Sequence, residues 1–197
     1  MHKRSLRYAL LGQQGLTIWF TGLSASGKST ICYGLEDELL QKGKLCYCID
    51  GDTMRKGINR DLGYTNKDRS ENIRRLGEVA TILTDMGAIT LVAAITPFQM
   101  DRNTVRSMHE RKGLPFWEVF VDCPLSVCEQ RDPKGLYVKA RNGEIQQFTG
   151  IDSSFEIPEN ADITLHTANT TVEQCVELML TKIYCFLQQG ECLKSIE

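Results

Sequence analysis

The run 17-TIWFT-21 is apolar enough for a covered strand, and it passes directly into 22-GLSASGKST-30 and then into Ile31, Leu35 and Leu39 at four-residue spacing. Strand, glycine-bearing turn and helix in that order leave few folds open. The turn satisfies G-x-x-x-x-G-K-[ST] through Gly22, Gly27, Lys28 and Ser29. Glycines there accept positive φ and let successive backbone NH groups converge on one point, to which the start of the helix adds its positive pole. In such a turn Lys28 reaches the β- and γ-phosphates of a nucleoside triphosphate, and Ser29 offers its hydroxyl to Mg2+. A glycine turn that merely caps a helix is the plain alternative, and the strand-to-helix setting argues against it.

Further strand-like runs, 45-LCYCID-50, 89-ITLVAAIT-96, 116-FWEVFVD-122 and 163-ITLH-166, alternate with stretches of helical period, which is the pattern of βαβ units. Unbroken apolarity in 89–96 calls for a strand covered on both faces, so the expected fold is α/β with a parallel sheet between helices. The first helix should stop near Gly43, and the last should open on a capping box from Thr170 to Glu173. One domain over 1–197 is expected, with a core of about 15–183. The stretch 132-DPKGLYVKARNGEIQQFTG-150 has no steady apolar period and reads as a long loop: a lid, a binding loop, an insertion, or a solvated excursion.

A net charge of -2 gives no general attraction to nucleic acid or to an anionic membrane, so an anionic ligand must be held by a local cluster. The eight cysteines form no CxxC pair and no zinc spacing with His2, His109 and His166. Cys32, Cys46, Cys48 and Cys175 read as small buried hydrophobes, and so many unpaired thiols suit a reducing cytoplasm. The start, MHKRSLRYALLGQQG, is basic with an apolar patch too short for a signal sequence, and no segment approaches a membrane span.

A second constellation, 50-DGDTMR-55, follows the second strand, at the edge where open α/β sheets place ligands. Of Asp50 and Asp52, one carboxylate can serve the Mg2+ shell and the other can orient or deprotonate an acceptor hydroxyl, against the plain reading of an Asp-Gly-Asp turn. In 63-GYTNKDRSENIRRLGEVATILTDM-86 the stripe Ile73, Leu76, Ala80, Leu83 projects back onto Arg69 and Asn72. A polar pair facing inward needs a partner, either a core carboxylate or an anionic ligand. Arg74 and Arg75 project outward. The letters 66-NKDR-69 approach the guanine-recognition pattern Asn-Lys-x-Asp, but Asp68 comes one position early, so GTP is not the preferred nucleotide.

In their order and spacing GLSASGKST, DGDTMR, LGYTNKDRSENIRR, ITPFQMDR, PFWEVFVDCPLSVCEQRDPKGLY, KARNGEIQQFTGID and the late Pro158 to Asp162 segment resemble the adenylylsulfate kinase (APS kinase) family, from about Gly15 to Ile183. The resemblance implies a three-layer P-loop kinase fold with a five-stranded sheet in the order 2-3-1-4-5 and a lid at about 132–152. It implies phosphorylation of the 3'-hydroxyl of adenosine 5'-phosphosulfate (APS) by ATP with Mg2+, giving PAPS and ADP. It also implies a homodimer, while charge, thiols and the lack of a long apolar segment set the expectation of a cytoplasmic protein with no nucleic-acid or membrane partner.

By the same resemblance Gly22, Ser24, Ala25, Ser26, Gly27, Lys28, Ser29 and Thr30 hold the nucleotide, and Arg131 with the loop Thr167 to Thr170 flanks its adenine. Asp52 is the base or metal-shell residue near the ribose 3'-hydroxyl, with Asp50 supporting it. Arg55, Arg69 and Asn72 grip the phosphosulfate, Tyr64 and Phe148 sandwich the adenine of APS, and Ile95, Thr96 and Lys134 complete the substrate side. Tyr64 stands where the family has Phe, a change that keeps the ring face. Gln99 stands where the family has arginine, with Arg102 the candidate replacement, and Val138 stands where it has lysine. An active enzyme with altered affinity is expected. The competing readings are another P-loop small-molecule kinase and a nucleotide-binding regulatory module without chemistry.

Overall fold

The computed structural model describes residues 3–192; residues 1–2, His2 among them, and residues 193–197 lie outside the described residues. Five parallel strands, β1 (Leu16–Thr21), β2 (Cys46–Asp50), β3 (Ile89–Ala93), β4 (Phe116–Asp122) and β5 (Ile163–His166), form one sheet in the order β2-β3-β1-β4-β5. The expected order is therefore observed. All six residues of β1 and all five of β3 are buried, as strands covered on both faces must be.

The helices are α1 (Lys3–Leu11), α2 (Lys28–Gln41), α3 (Gly51–Lys56), α4 (Asn66–Met86), α5 (Gln99–Arg111), α6 (Leu125–Arg131), α7 (Leu136–Arg141) and α8 (Val172–Cys192). On one face of the sheet α2 and α8 cover Ile18, Phe20, Leu91 and Val119 with Ile31, Leu35, Leu39, Met179 and Ile183. On the other, α4 and α5 cover Trp19, Ile49 and Val92 with Ile73, Leu76, Ala80 and Val105. Each such fully buried aliphatic side chain contributes roughly 1.5–3 kcal/mol. Cys32, Cys46, Cys48, Cys123, Cys128 and Cys175 are buried as free thiols.

Four local features correct the sequence reading or add to it. The basic start carries α1, whose Arg4 and Arg7 pair with Asp85 on α4 while the Tyr8 hydroxyl donates to Thr84 O (3.2 Å). The 50–55 segment is a helix rather than a turn, because Asp50 Oδ1 accepts from the backbone NH of Asp52 and of Thr53, each at 3.0 Å. The 132–150 loop contains α7, whose start is capped by Asp132: its carboxylate accepts from Leu136 N (2.8 Å), Tyr137 N (3.0 Å) and Val138 N (3.2 Å). The capping box of α8 lies one residue later than expected, with Gln174 N donating to Thr171 Oγ1 (3.3 Å) and Thr171 N to Gln174 Oε1 (3.0 Å).

Candidate active site

The turn between β1 and α2 bends through Gly22 (φ 149°), Ala25 (φ 58°) and Gly27 (φ 107°). A Cβ at Gly22 would stand 2.6 Å from Val121 O, so the turn can lie against β4 only without a side chain there. Lys28 is 8% exposed and folds back over the turn, donating from Nζ to Leu23 O at 2.6 Å. Burial lowers its pKa to about 8, against the opposing pull of Cys128, Asp52, Cys32 and Asp50. The turn is braced by α7 and by the loop after β5: Tyr137 OH donates to Ser24 O (3.0 Å) and Thr167 Oγ1 to Ser26 O (2.7 Å). Thr30 is exposed on the first turn of α2.

Ser29 and the acidic constellation meet across the sheet edge, where Ser29 Oγ donates to Asp50 Oδ2 at 2.7 Å. Asp50 thus spends one oxygen on capping α3 and the other on Ser29. A hydroxyl beside a carboxylate is the hard-oxygen donor set that suits Mg2+. Two residues on, the Asp52 carboxylate pairs with Lys134 Nζ, and both side chains are more than half exposed.

Arg55, Tyr64, Arg69 and Asn72 gather beyond α3. Arg55 Nη1 donates to Gly63 O (2.8 Å) and Leu62 O (3.3 Å), and its guanidinium lies 4.5 Å from the centroid of the Tyr64 ring. Arg69 Nε donates to Tyr64 O (2.9 Å), and its terminal nitrogens donate to Gln147 O and Thr149 Oγ1. One guanidinium therefore ties the strand of chain carrying Tyr64 to the one carrying Phe148. Tyr64 is 63% exposed, while Phe148 packs edge-on against Tyr137 with centroids 5.0 Å apart. The turn before Phe148 is held by Asp152, which accepts from Gln147 N (2.6 Å) and Phe148 N (2.5 Å).

Among the described residues no core carboxylate pairs with the inward polar pair on α4. Asn72 is buried and bonded to Asn59, and Arg69 is half-buried and bonded to backbone and Thr149. Arg75 is not free in solvent, since Asp61 (2.7 Å) and Glu71 (2.8 Å) both pair with it.

Past β3 the chain places Ile95 and Thr96 at the sheet edge as backbone rather than as side chains. Ile95 O accepts from Thr21 Oγ1 (2.6 Å) and Gly22 N (3.3 Å). Thr96, at φ 45°, is 1% exposed, and its hydroxyl accepts from Trp19 Nε1 at 2.9 Å. Arg102 is no replacement for the missing cation. It is 1% exposed and bound to Thr96 O (2.8 Å), Gln99 Oε1 (2.6 Å) and Glu156 O (2.7 Å), with Glu118 Oε1 3.1 Å from its Nε. Gln99 thus serves the core arginine.

Arg131 Nη2 donates to Thr167 O (2.5 Å) and its Nη1 to Cys123 Sγ (3.5 Å), bringing α6 to the loop after β5. A cleft of about 620 Å³ bounded by Leu23, Asp122, Leu125, Ile151 and Phe155 lies beside the glycine turn and includes neither Lys28 nor Asp52. Reading the sequence missed Asn59, Asp132, Tyr137, Thr149 and Asp152. Only Asp132, an Asp ahead of Pro-Lys-Gly, carried a helix-start signal.

A model of the family described as adenylylsulphate kinase matches residues 14–166. The adenylyl-sulfate kinase of Clostridium kluyveri is 53% identical over 186 residues, 94% of this chain and 92% of that one. That of Saccharomyces cerevisiae is 52% identical over 173 residues, 88% and 86% of the two chains. Among solved structures, the Mycobacterium tuberculosis APS kinase CysC in complex with AMPPNP and APS superposes with a TM-score of 0.85 at 47% identity, covering 87% of this chain and 99% of that one.

Proposed function

The chain belongs to the adenylylsulphate kinase family and transfers phosphate from ATP to the 3'-hydroxyl of APS, giving PAPS and ADP, and we propose how its own residues carry out that transfer. Lys28 leaves Leu23 O for the β- and γ-phosphates, which the amides of residues 22–30 and the start of α2 also receive. Ser29 and Asp50 hold Mg2+, which when bound supplies charge neutralisation at the phosphates. Arg131 and the loop after β5 flank the adenine of ATP.

Asp52 takes the proton of the ribose 3'-hydroxyl as that oxygen attacks the γ-phosphorus and ADP leaves. Its pairing with Lys134 is no obstacle, because an ion pair this exposed is worth about 0–1 kcal/mol. Lys134 then turns to the anionic substrate. Arg55, Arg69 and Asn72 receive the phosphosulfate, Tyr64 and Phe148 enclose the adenine, and backbone at Ile95 and Thr96 floors the pocket. The 132–152 segment acts as a lid on a core of 15–183, excluding water from the transfer.

The observation that carries this reading is the line from Ser29 through Asp50 to Asp52, which sets the phosphate end of the site against an accessible carboxylate. Buried free thiols support a reducing cytoplasm as the setting, and a homodimer is the assembly we assign. No helix among the described residues is long and apolar enough to cross a membrane. ADP release measured over a panel of acceptors tests the reading. Turnover with APS should far exceed that with adenosine 5'-phosphate or a sugar acid, and equal turnover with those acceptors would refute it.

A further inference from the structure

Asn59 lies in the turn between α3 and α4, is 0% exposed, and donates from Nδ2 to Asn72 Oδ1 at 2.9 Å. Its own Oδ1 is buried without a hydrogen-bond partner among the described residues. The turn around it is stapled on every side. Asn59 N donates to Met54 O (2.9 Å), Leu62 N donates to Asn59 O (3.1 Å), Arg75 Nη1 donates to Ile58 O (3.1 Å), and Arg55 Nη1 holds Gly63 O (2.8 Å).

A side-chain amide has one accepting end and one donating end, and an anion can use only the second. With its oxygen taken by Asn59, Asn72 has its NH2 group left over, and that group has no protein partner among the described residues. We propose that Asn59 is a positioning residue that locks the Asn72 amide with its NH2 group toward the phosphosulfate of APS. The proposal rests on the reading of Asn72 as a substrate contact. Were the amide reversed, its lone pairs would oppose the anion. The orphaned Asn59 oxygen supports the same conclusion, since a leucine would fill a similar space without a buried unsatisfied acceptor. Packing alone gives no reason for the asparagine.

The test is steady-state kinetics on the full chain for Asn59→Asp, Asn59→Leu, Asn72→Ala and the double variant Asn59→Asp/Asn72→Ala. A carboxylate at 59 only accepts, so it draws the Asn72 NH2 group away from the ligand; the KM for APS should rise by about tenfold or more. Leucine frees the amide to rotate, and the rise should be smaller, about threefold, with the Tm held within a few degrees. In both variants the KM for ATP should stay within about twofold, and the double variant should be no worse than Asn72→Ala alone.

If Asn72→Ala raises the KM for APS while both Asn59 variants keep the parent value, positioning is refuted and the substrate contact stands. If Asn72→Ala changes nothing, both fall together. A parallel rise in both KM values with a lowered Tm would mark Asn59 as structural only and overturn the proposal. Should Asn59→Asp fail to fold, Asn59→Leu against Asn72→Ala decides by the same criteria.

Discussion

Lys134, at the root of the lid, pairs with Asp52 in the first turn of α3 across 82 residues of chain. The pair joins the group that we assign to deprotonate the substrate with the cation that we assign to bind it. Burying neither partner keeps it weak, so it can exchange partners when APS arrives. The hydrogen bond to Asp52 also holds the Lys134 pKa above its usual value, so the lysine remains charged over the working range.

Lys134→Met should therefore cost little stability, about 1 kcal/mol or less, because the lost pair is exposed. Its kcat/KM for APS should fall by about tenfold or more, since a charged donor to the substrate goes with it. Thermal melts and steady-state kinetics on one preparation separate the two effects.

With Lys28 assigned to the phosphates, its pKa, lowered to about 8 by burial, should make nucleotide binding proton-linked. Phosphate beside Lys28 favours its charged form, so the bound-state pKa is higher than the free one. Below about 8 the lysine is charged in both states and ATP affinity should be flat with pH. Above it, binding must bring a proton, and affinity should fall by up to about tenfold per pH unit until the bound-state value is reached. Calorimetry in buffers of different ionisation enthalpy should detect proton uptake at pH 8.5 to 9, and Lys28→Met should abolish it.

Ala25 holds φ 58° in the phosphate turn with a Cβ that disfavours that conformation by about 1 kcal/mol. Ala25→Gly should keep kcat within about twofold and leave Tm equal or slightly higher, the released strain being offset by added freedom in the unfolded chain. Ala25→Val, β-branched in the same conformation, should lower Tm and weaken ATP binding.

His109 is 0% exposed, with Nδ1 on Val105 O and Nε2 on Thr17 Oγ1, both at 2.8 Å, and its ring lies 4.9 Å from that of Phe116. Burial lowers its pKa, opposed by the Val105 carbonyl and Glu78 and assisted by Lys112. The unfolded chain thus binds the proton more readily, and the contribution to stability is complete above about pH 6.5 and is lost as pH falls toward the lower folded value. Denaturant melts from pH 7.5 to 5 should show a loss of at most about 1.4 kcal/mol per pH unit from this group. His109→Asn should shrink that slope.

The strands were legible because each is a short apolar run, and 89-ITLVAAIT-96 reads as covered on both faces, whereas their order came only with the family resemblance. The glycine turn was legible for a different reason: its chemistry demands a local spacing. Contacts made at a distance left no such trace. Helix α7 has only six residues, too few for a period, and it stands on the three backbone NH groups that Asp132 receives. Thr170 and Thr171 offer equal caps in sequence, and the fold uses Thr171. Arg102 looked available three residues beyond Gln99, yet Glu118 on β4 and Glu156 claim it. Asn59 carries no pattern at all, and its meaning comes from Asn72 thirteen residues on.

Asp52→Asn measured with saturating ATP and APS tests the assignment of the base most directly. The account predicts that kcat falls by about 10²- to 10⁴-fold while the ATP Kd stays within about twofold, because the amide keeps the shape and cannot take the proton. A kcat within tenfold of the parent enzyme, at unchanged ATP affinity, would contradict it.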